Sequence, residues 1–324
     1  HGNIGPVAEA LWRATGEGPA VFVPSFPENG RTVYRGHLFV FDQLLSDSGM
    51  RNHPLTPMTD ANLVRFLGRQ TALGVGLIRS DTVAEGPAAI RAAAETLAAD
   101  GKPFIVVDTL ANDDLVAIGE AVRDFALVTG GSGLALGLAP QHGGTGAAAT
   151  ALPAIGGPVL CLSGSCSEAT NAQVRRFAAD HPMRKLDPVA LAEGRETAAD
   201  AAAWALDALA RGPCLVSATA APAEVKAAQA TLGTERAAAV VEEALATVAR
   251  TVRAAGVRRF VVAGGETSGA VATALGVSRL VVGPQIAPGV PWCATDGAEP
   301  VAVALKSGNF GRETFFQDAI RIAP

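Results

Sequence analysis

Aromatic residues make up only 5% of this 324-residue chain, and Tyr34 is its one tyrosine. Charge is also sparse at 18%: 26 Lys and Arg are scattered among 31 Asp and Glu, for a net charge of −5. With no basic stripe to neutralise phosphates, nucleic acid is excluded as the expected partner. The four cysteines, Cys161, Cys166, Cys214 and Cys293, form no CxxC pair. That pattern speaks against a zinc site or disulfide framework and for reduced thiols in a cytoplasmic protein. No apolar run reaches the roughly 18 residues that would cross a membrane, and no signal-peptide pattern is present. His37, His53 and His142 show no metal-ligand spacing, so no metal held by the protein alone is expected. GxxxxGK[ST] is absent, so no Walker P-loop exists. No GxGxxG follows an early strand with an acid about 20 positions later, which speaks against a nicotinamide-dependent dehydrogenase.

What is present is small and apolar. Hydrophobic residues reach 49%, with 36 glycines and many alanines, a composition suited to close packing of helices on sheets. The length predicts about two domains. Strands are expected at 20–23, 74–79, 104–108 and 127–129, with helices at 7–15, 60–73, 84–100, 112–124 and 132–138. Segment 32–40 breaks this rhythm and reads as a hairpin-like insertion beside the first strand. Residues 141–157 lose all periodicity and read as a linker, with an irregular loop carrying a short helix as the alternative. Beyond it, strands are expected at 158–162, 213–217, 259–263, 280–282 and 301–305. Helices are expected at 168–180, 196–211, 234–255 and 268–275. In the third of these, Val240, Val241, Ala244, Leu245, Val248 and Val252 recur at helical spacing, a core stripe. The expectation is an α/β chain of two domains, 1–140 and 158–324. Each is a mostly parallel sheet with helices on both faces, and the ligand cleft lies between them.

Three short turns in the second half carry the chemistry. Each follows a buried β-branched run: Ser163-Gly164-Ser165-Cys166-Ser167, Gly264-Gly265-Glu266-Thr267-Ser268-Gly269, and Lys306-Ser307-Gly308-Asn309-Phe310-Gly311. A strand that ends in small residues before a helix aims backbone N–H groups and a helix N-terminus at one spot. Three at one edge of a parallel sheet would form a polyanion site, most simply for a nucleoside triphosphate. In the first turn, Ser167 or Ser165 is a helix cap on one reading, and on the other Ser163 and Ser165 contact a ligand through backbone and hydroxyl. Cys166 has no nearby His to make it a nucleophile. In the second, Glu266 either caps its helix, holds Mg²⁺ or meets a ribose hydroxyl. In the third, Lys306 acts as a point charge on a phosphate or is an ordinary solvated strand-end lysine.

The first half offers Pro27-Glu28-Asn29-Gly30-Arg31-Thr32, where Arg31 can clamp a carboxylate bidentately, with His37 following. A second polar stretch runs from Arg51 through His53 to Asp60, with Thr59 or Asp60 as helix cap. Gly130-Gly131-Ser132-Gly133 makes another strand-to-helix turn, placed to face the ligand from the substrate side.

Together these segments resemble the four-carbon acid sugar kinase family. GNIGPVAEAL (2–11), FPENGRTVYRGHLFV (26–40), SGMRNHPLTPMTDANL (48–63), LVTGGSGLALGLA (127–139), SGSCSEAT, AGGETSGAV and ALKSGNFG match its motifs in order along nearly the whole chain. ENGRTVYRGHLFV and HPLTPMTD favour its 3-oxo-tetronate kinase branch. The resemblance implies a sugar-acid-binding first domain and an ATP-binding second domain, with ATP and Mg²⁺ as cofactors. It implies transfer of the γ-phosphoryl group to the C4 hydroxyl of a 3-oxo-tetronate (3-dehydrotetronate), giving the 4-phosphate. By position, the nucleotide residues are Ser163, Ser165, Gly264, Gly265, Glu266, Thr267, Lys306, Ser307, Gly308 and Asn309. Asn29, Arg31 and His37 are the expected contacts to the sugar acid.

The family also opens on a strand and an Asp-Asp-x-Thr-Gly turn, which this sequence does not contain. The expectation is that an N-terminal segment is missing, and with it the catalytic base, so no catalytic residue is assigned. A sheet edge exposed in that way would favour a homodimer. The rival reading is a non-catalytic module that binds a nucleotide or a sugar acid without turnover.

Overall fold

The computed structural model describes residues 3–52, 56–143 and 151–324, which divide into two compact units, His1–Ala147 and Ala148–Pro324. Part of the expected linker (144–150) and His53 of the second polar stretch lie outside the described residues.

The strands of the first unit are β1 (Ala20–Val23), β2 (Arg31–Tyr34), β3 (His37–Val40), β4 (Gln43–Leu44), β5 (Val75–Ile78), β6 (Phe104–Val107) and β7 (Leu127–Gly130). Its helices are α1 (Ile4–Thr15), α2 (Leu63–Gly68), α3 (Ser80–Ala84), α4 (Pro87–Ala99), α5 (Asn112–Ala121) and α6 (Ala135–Gln141). Four strands form a parallel sheet in the order β5-β6-β1-β7. Successive side chains of a strand point to opposite faces. Accordingly Val21, Val23, Ile105 and Val107 bury against Ile90 and Ala94 of α4 and Leu115 and Ile118 of α5. Ala20, Phe22, Phe104 and Val106 face Ala8 and Trp12 of α1 and Val33 and Leu38 of the insertion.

The insertion is a hairpin, β2–β3, extended by β4 into a separate antiparallel sheet. Its turn is Arg35-Gly36, both at positive φ (52° and 73°), the backbone a two-residue hairpin loop prefers. Asp108, fully buried just past β6, holds that turn. Its carboxylate accepts from the N–H groups of Arg35 (2.8 Å), Gly36 (2.8 Å) and Ser80 (3.1 Å).

The second unit adds β8 (Val159–Ser163), β9 (Met183–Lys185), β10 (Cys214–Ser217), β11 (Arg259–Ala263), β12 (Val281–Ala287), β13 (Val290–Ala294) and β14 (Ala302–Lys306). Its helices are α7 (Glu168–Ala178), α8 (Pro188–Ala192), α9 (Ala198–Leu209), α10 (Pro222–Leu232), α11 (Thr234–Ala254), α12 (Gly265–Ala274) and α13 (Phe315–Arg321). The sheet order is β12-β13-β14-β11-β8-β10-β9. It is parallel from β14 to β9 and antiparallel across β12–β13–β14. One face packs on α9 and α11 through Ala205, Leu245, Val248 and Val252. The other packs on α7 and α13 through Phe177, Phe315 and Phe316.

The two-unit α/β architecture agrees with the pattern of apolar runs, and the differences are local. The expected helix at 60–73 shrinks to α2, because Asp60 accepts from the Asn62 N–H and pairs with Arg65, and Asn62 is the cap. Neither Thr59 nor Asp60 caps this helix. Arg65, then the Asn62 N–H and Arg69, lower the Asp60 carboxyl to about 2 against the cost of burial. The expected helix at 84–100 divides at Gly86 into α3 and α4. α6 extends to Gln141 with Pro140 inside it. α12 begins at Gly265 rather than at Ser268.

Asp108→Ala leaves three N–H groups, the buried one of Gly36 and the part-buried ones of Arg35 and Ser80, without their charged acceptor. It should destabilise the first unit by about 3 kcal/mol, read as a lower urea midpoint for that unit's transition. An unchanged midpoint would show that the carboxylate does not hold the hairpin.

Candidate functional site

Ser163, Ala263 and Lys306 end β8, β11 and β14 in register, with Ala263 opposite both of the others. The three sequence-identified turns therefore leave one sheet edge side by side, and they interlock. The N–H groups of Gly164 (3.0 Å) and Ser165 (3.2 Å) donate to the Ala263 carbonyl, and that of Gly264 (2.8 Å) donates to the Lys306 carbonyl. Glycine is required where the turns touch. A Cβ on Gly164 would lie 2.2 Å from Thr267 Oγ1, and one on Gly308 would lie 2.3 Å from Ser165 Oγ. Gly264 combines a φ of +131° with a Cβ position 3.1 Å from the Ser165 nitrogen, a backbone state that disfavours any side chain.

Helix α7 clamps the third turn to the first. Ser167 caps the helix, accepting from the Thr170 N–H at 3.1 Å. Ser167 Oγ and Thr170 Oγ1 each donate to the Gly308 carbonyl at 2.7 Å. One turn further on, Gln173 Nε2 reaches the carbonyls of Phe310 (3.0 Å), Gly311 (3.0 Å) and Arg312 (3.1 Å). Residues three apart share a helix face, so this polar stripe was present in the sequence. It was not singled out there.

Two of the expected ligand contacts lie beneath the turns. Ser163 is fully buried, its Oγ 2.5 Å from Thr219 Oγ1, which in turn donates to the Ser165 carbonyl at 2.8 Å. Lys306 is also fully buried, which rules out the solvated strand-end lysine. Its Nζ donates to Thr170 Oγ1 (3.0 Å), the Ser307 carbonyl (3.2 Å) and the Gly308 carbonyl (2.9 Å). Burial lowers this amine to about 7. Burial raises the Cys166 thiol, so it lacks the thiolate character of a nucleophile.

The outward surface of the turns is formed by exposed Gly265, Glu266 and Ser307, with half-buried Ser165, Gly308 and Asn309. Thr267 is buried between the first two turns. Glu266 sits in the first turn of α12. Burial, and after it the charge of Glu266, raises Glu242 on α11. That second carboxylate was not singled out in the sequence. Among the described residues, no group of three His, Cys, Asp or Glu could hold a metal ion.

In the first unit, Asn29 is buried at the end of a short 3-10 turn, Pro27–Asn29. Arg31 Nη1 donates to the Asn29 carbonyl at 2.6 Å. Burial lowers the Arg31 guanidinium, which forms no ion pair among the described residues. The Gly130–Gly133 turn abuts this region, since Cβ atoms there would strike the carbonyls of Val23 (2.5 Å) and Ser25 (2.4 Å). His37 stands apart. It opens β3 opposite Tyr34 while Arg31 lies opposite Val40, placing the two roughly 10 Å apart along the ribbon. The His37 ring contacts the Arg35 carbonyl (2.9 Å) and Asn62 Nδ2 (3.3 Å). The structure thus brings Asn29 and Arg31 together and leaves His37 with Asn62.

The interlock of turns is testable by paired substitution. Gly164→Ala should cost the second unit about 1–3 kcal/mol by overpacking. Gly164→Ala combined with Thr267→Ala should cost less than the sum of the two, because the struck hydroxyl is gone. Strict additivity in a double-mutant cycle would refute the contact.

Comparison with known proteins follows the same division. A nucleotide-binding C-terminal domain family matches residues 160–316, and a sugar-binding N-terminal domain family matches residues 1–138. A 3-oxo-tetronate kinase of Burkholderia multivorans is 54% identical over 326 residues, covering 99% of this chain and 76% of that protein. One from Pseudomonas fluorescens is 52% identical, covering 98% and 75%. A solved structure from Salmonella typhimurium LT2 superposes with a TM-score of 0.79 at 43% identity, over 99% of this chain and 77% of that one. This chain belongs to the 3-oxo-tetronate kinase family.

Proposed function

We propose that the protein is an ATP-dependent kinase that transfers the γ-phosphoryl group to the C4 hydroxyl of a 3-oxo-tetronate, giving the 4-phosphate. The observation that carries the nucleotide half is the in-register exit of three small-residue turns from β8, β11 and β14. Two of them lead into the N-termini of α7 and α12, where backbone N–H groups and helix dipoles favour phosphate oxygens. Ser165, Gly265, Ser307, Gly308 and Asn309 form the surface that takes the phosphates, and Ser163, Gly264, Thr267 and Lys306 support it from below. Phosphoryl transfer asks mainly for positioning and charge neutralisation, and interlocked turns provide a fixed frame for both.

Mg²⁺ commonly binds one or two carboxylates together with substrate phosphates rather than an all-protein cage. Glu266 and Glu242 fit that requirement, and the ion would neutralise charge on the triphosphate there. In the sugar-binding unit, Arg31 and Asn29 take the sugar acid. A partly buried guanidinium with no acidic partner among the described residues suits an anionic carboxylate. His37 acts with Asn62 at the far end of the hairpin.

Gly265→Asp is the discriminating variant. A Cβ there meets nothing within 4 Å, and a carboxylate in the first turn favours the helix itself. Thermal stability should be unchanged or slightly higher, whereas ATP affinity should fall at least about tenfold through repulsion. Unaltered ATP affinity would overturn the three-turn site. In the native enzyme, ATP-dependent turnover of 3-oxo-tetronate with no turnover of the sugar acid by NAD is expected. ATP binding without any phosphorylation of 3-oxo-tetronate would sink the kinase reading.

A further inference from the structure

The exposed acids beside the three turns have the wrong sign for a polyanion. Glu168 and Glu266 are exposed, whereas Lys306 is fully buried. Among the turns and the residues that flank them, one exposed cation remains: Arg312, directly after Gly311. Its backbone is anchored several times over. Gly311 takes a φ of +81°, and a Cβ there would lie 2.6 Å from the Phe315 ring, so the chain bends tightly into Arg312. The Arg312 carbonyl accepts from Gln173 Nε2 at 3.1 Å and from the Phe315 N–H at 3.0 Å. The guanidinium, in contrast, has no hydrogen-bond or ion-pair partner among the described residues. Acids nearby are engaged elsewhere. Asp318 pairs with Arg321 and accepts from Thr314, and Asp180 pairs with Arg176. Adjacent Glu313 is exposed and leaves Arg312 unpaired.

A merely solvated arginine gains nothing from such anchoring. A cation that must meet an anion does, because a fixed origin reduces the conformational entropy lost on binding. The position is also suitable. Thr170 holds the Gly308 carbonyl and Gln173 holds that of Arg312. These two residues stand three apart on one face of α7, about 4.5 Å along its axis. An arginine side chain is longer than that separation, so the guanidinium can reach the outward surface beside Ser307 and Gly308. Its planar fork presents paired N–H donors that match phosphate oxygens. We propose that Arg312 binds the phosphates of the nucleotide held on the three turns, supplying the exposed positive charge that the turns themselves lack. The inference rests on the nucleotide reading of those turns.

The test is calorimetric titration of the whole protein with ADP in a magnesium-containing buffer, for the native chain and for Arg312→Ala, Arg312→Lys and Arg175→Ala. Arg312→Ala should bind ADP at least about tenfold more weakly, the scale of hydrogen bonds between charged groups. Arg312→Lys keeps the charge and loses the fork, so its affinity should fall between those of the native chain and Arg312→Ala. Raising the salt concentration should narrow the gap between the native chain and Arg312→Ala. Thermal stability without nucleotide should be the same in both, because an exposed, unpaired side chain adds little to the fold. Arg175, exposed in the last turn of α7, is the control for net charge. Arg175→Ala should leave ADP affinity within about twofold of native. Equal losses in Arg175→Ala and Arg312→Ala would point to a diffuse field rather than a contact and would overturn the proposal. Native ADP affinity in Arg312→Ala would also overturn it, while leaving the nucleotide site standing. No binding of ADP by the native protein would overturn both.

Discussion

Much of the second unit follows from one alignment: three adjacent parallel strands stop at the same level. Because Ala263 stands opposite both Ser163 and Lys306, the turns after them start within contact of one another. Bulk is then excluded at Gly164, Gly264 and Gly308, and hydroxyls occupy the remaining gaps. Had one strand run two residues longer, its turn would stand clear of the others, and neither the Thr267 contact nor the bond from Gly264 to the Lys306 carbonyl could form. The stripe Ser167, Thr170 and Gln173 on α7 completes the frame by binding carbonyls rather than side chains. It therefore fixes the path of the backbone while leaving the outward residues of the third turn open to vary.

The first unit reaches similar rigidity by different means. A buried carboxylate, Asp108, gathers N–H groups from a hairpin turn and from the start of α3. Neutral hydroxyls and one cation organise carbonyls in the second unit, whereas one anion organises N–H groups in the first. Both devices stand just past or at the C-terminal ends of parallel strands, β6 and β14. Parallel strands leave unpaired backbone groups at those ends, and buried ones must be satisfied.

How much of this the sequence disclosed depended on burial. Strands covered on both faces, such as β1, β6, β8 and β11, are short apolar runs and were legible within a residue or so. β9, a half-exposed Met-Arg-Lys, and β13, which contains Pro291, lack that signature. α10 has no buried residue and therefore no apolar stripe, and short α8 and α13 went unread for want of length. The turns were legible because Gly and Ser cluster in few other contexts. What lies beneath them was not, because a residue's class does not tell which side it faces. Alternation along β14 held a clue: Lys306 shares its face with Ala302 and Ala304, the face covered by α7 and α13. Convergence of Arg31 with Asn29 but not with His37 depends on hairpin register, which composition does not encode.

The antiparallel end of the second sheet bears on how that sheet meets other chains. β12 is an edge strand with irregular register at Val282, Gln285 and Ala287, and Pro284 within it has no N–H to offer. At the opposite edge, β9 is only three residues long. An incoming strand would find a broken ladder at one side and too short a template at the other. The sheet is thus closed to lateral growth without being closed into a barrel. The turns at the parallel ends of its central strands can then present exposed Gly265, Glu266 and Ser307 without recruiting stray chains along the edges.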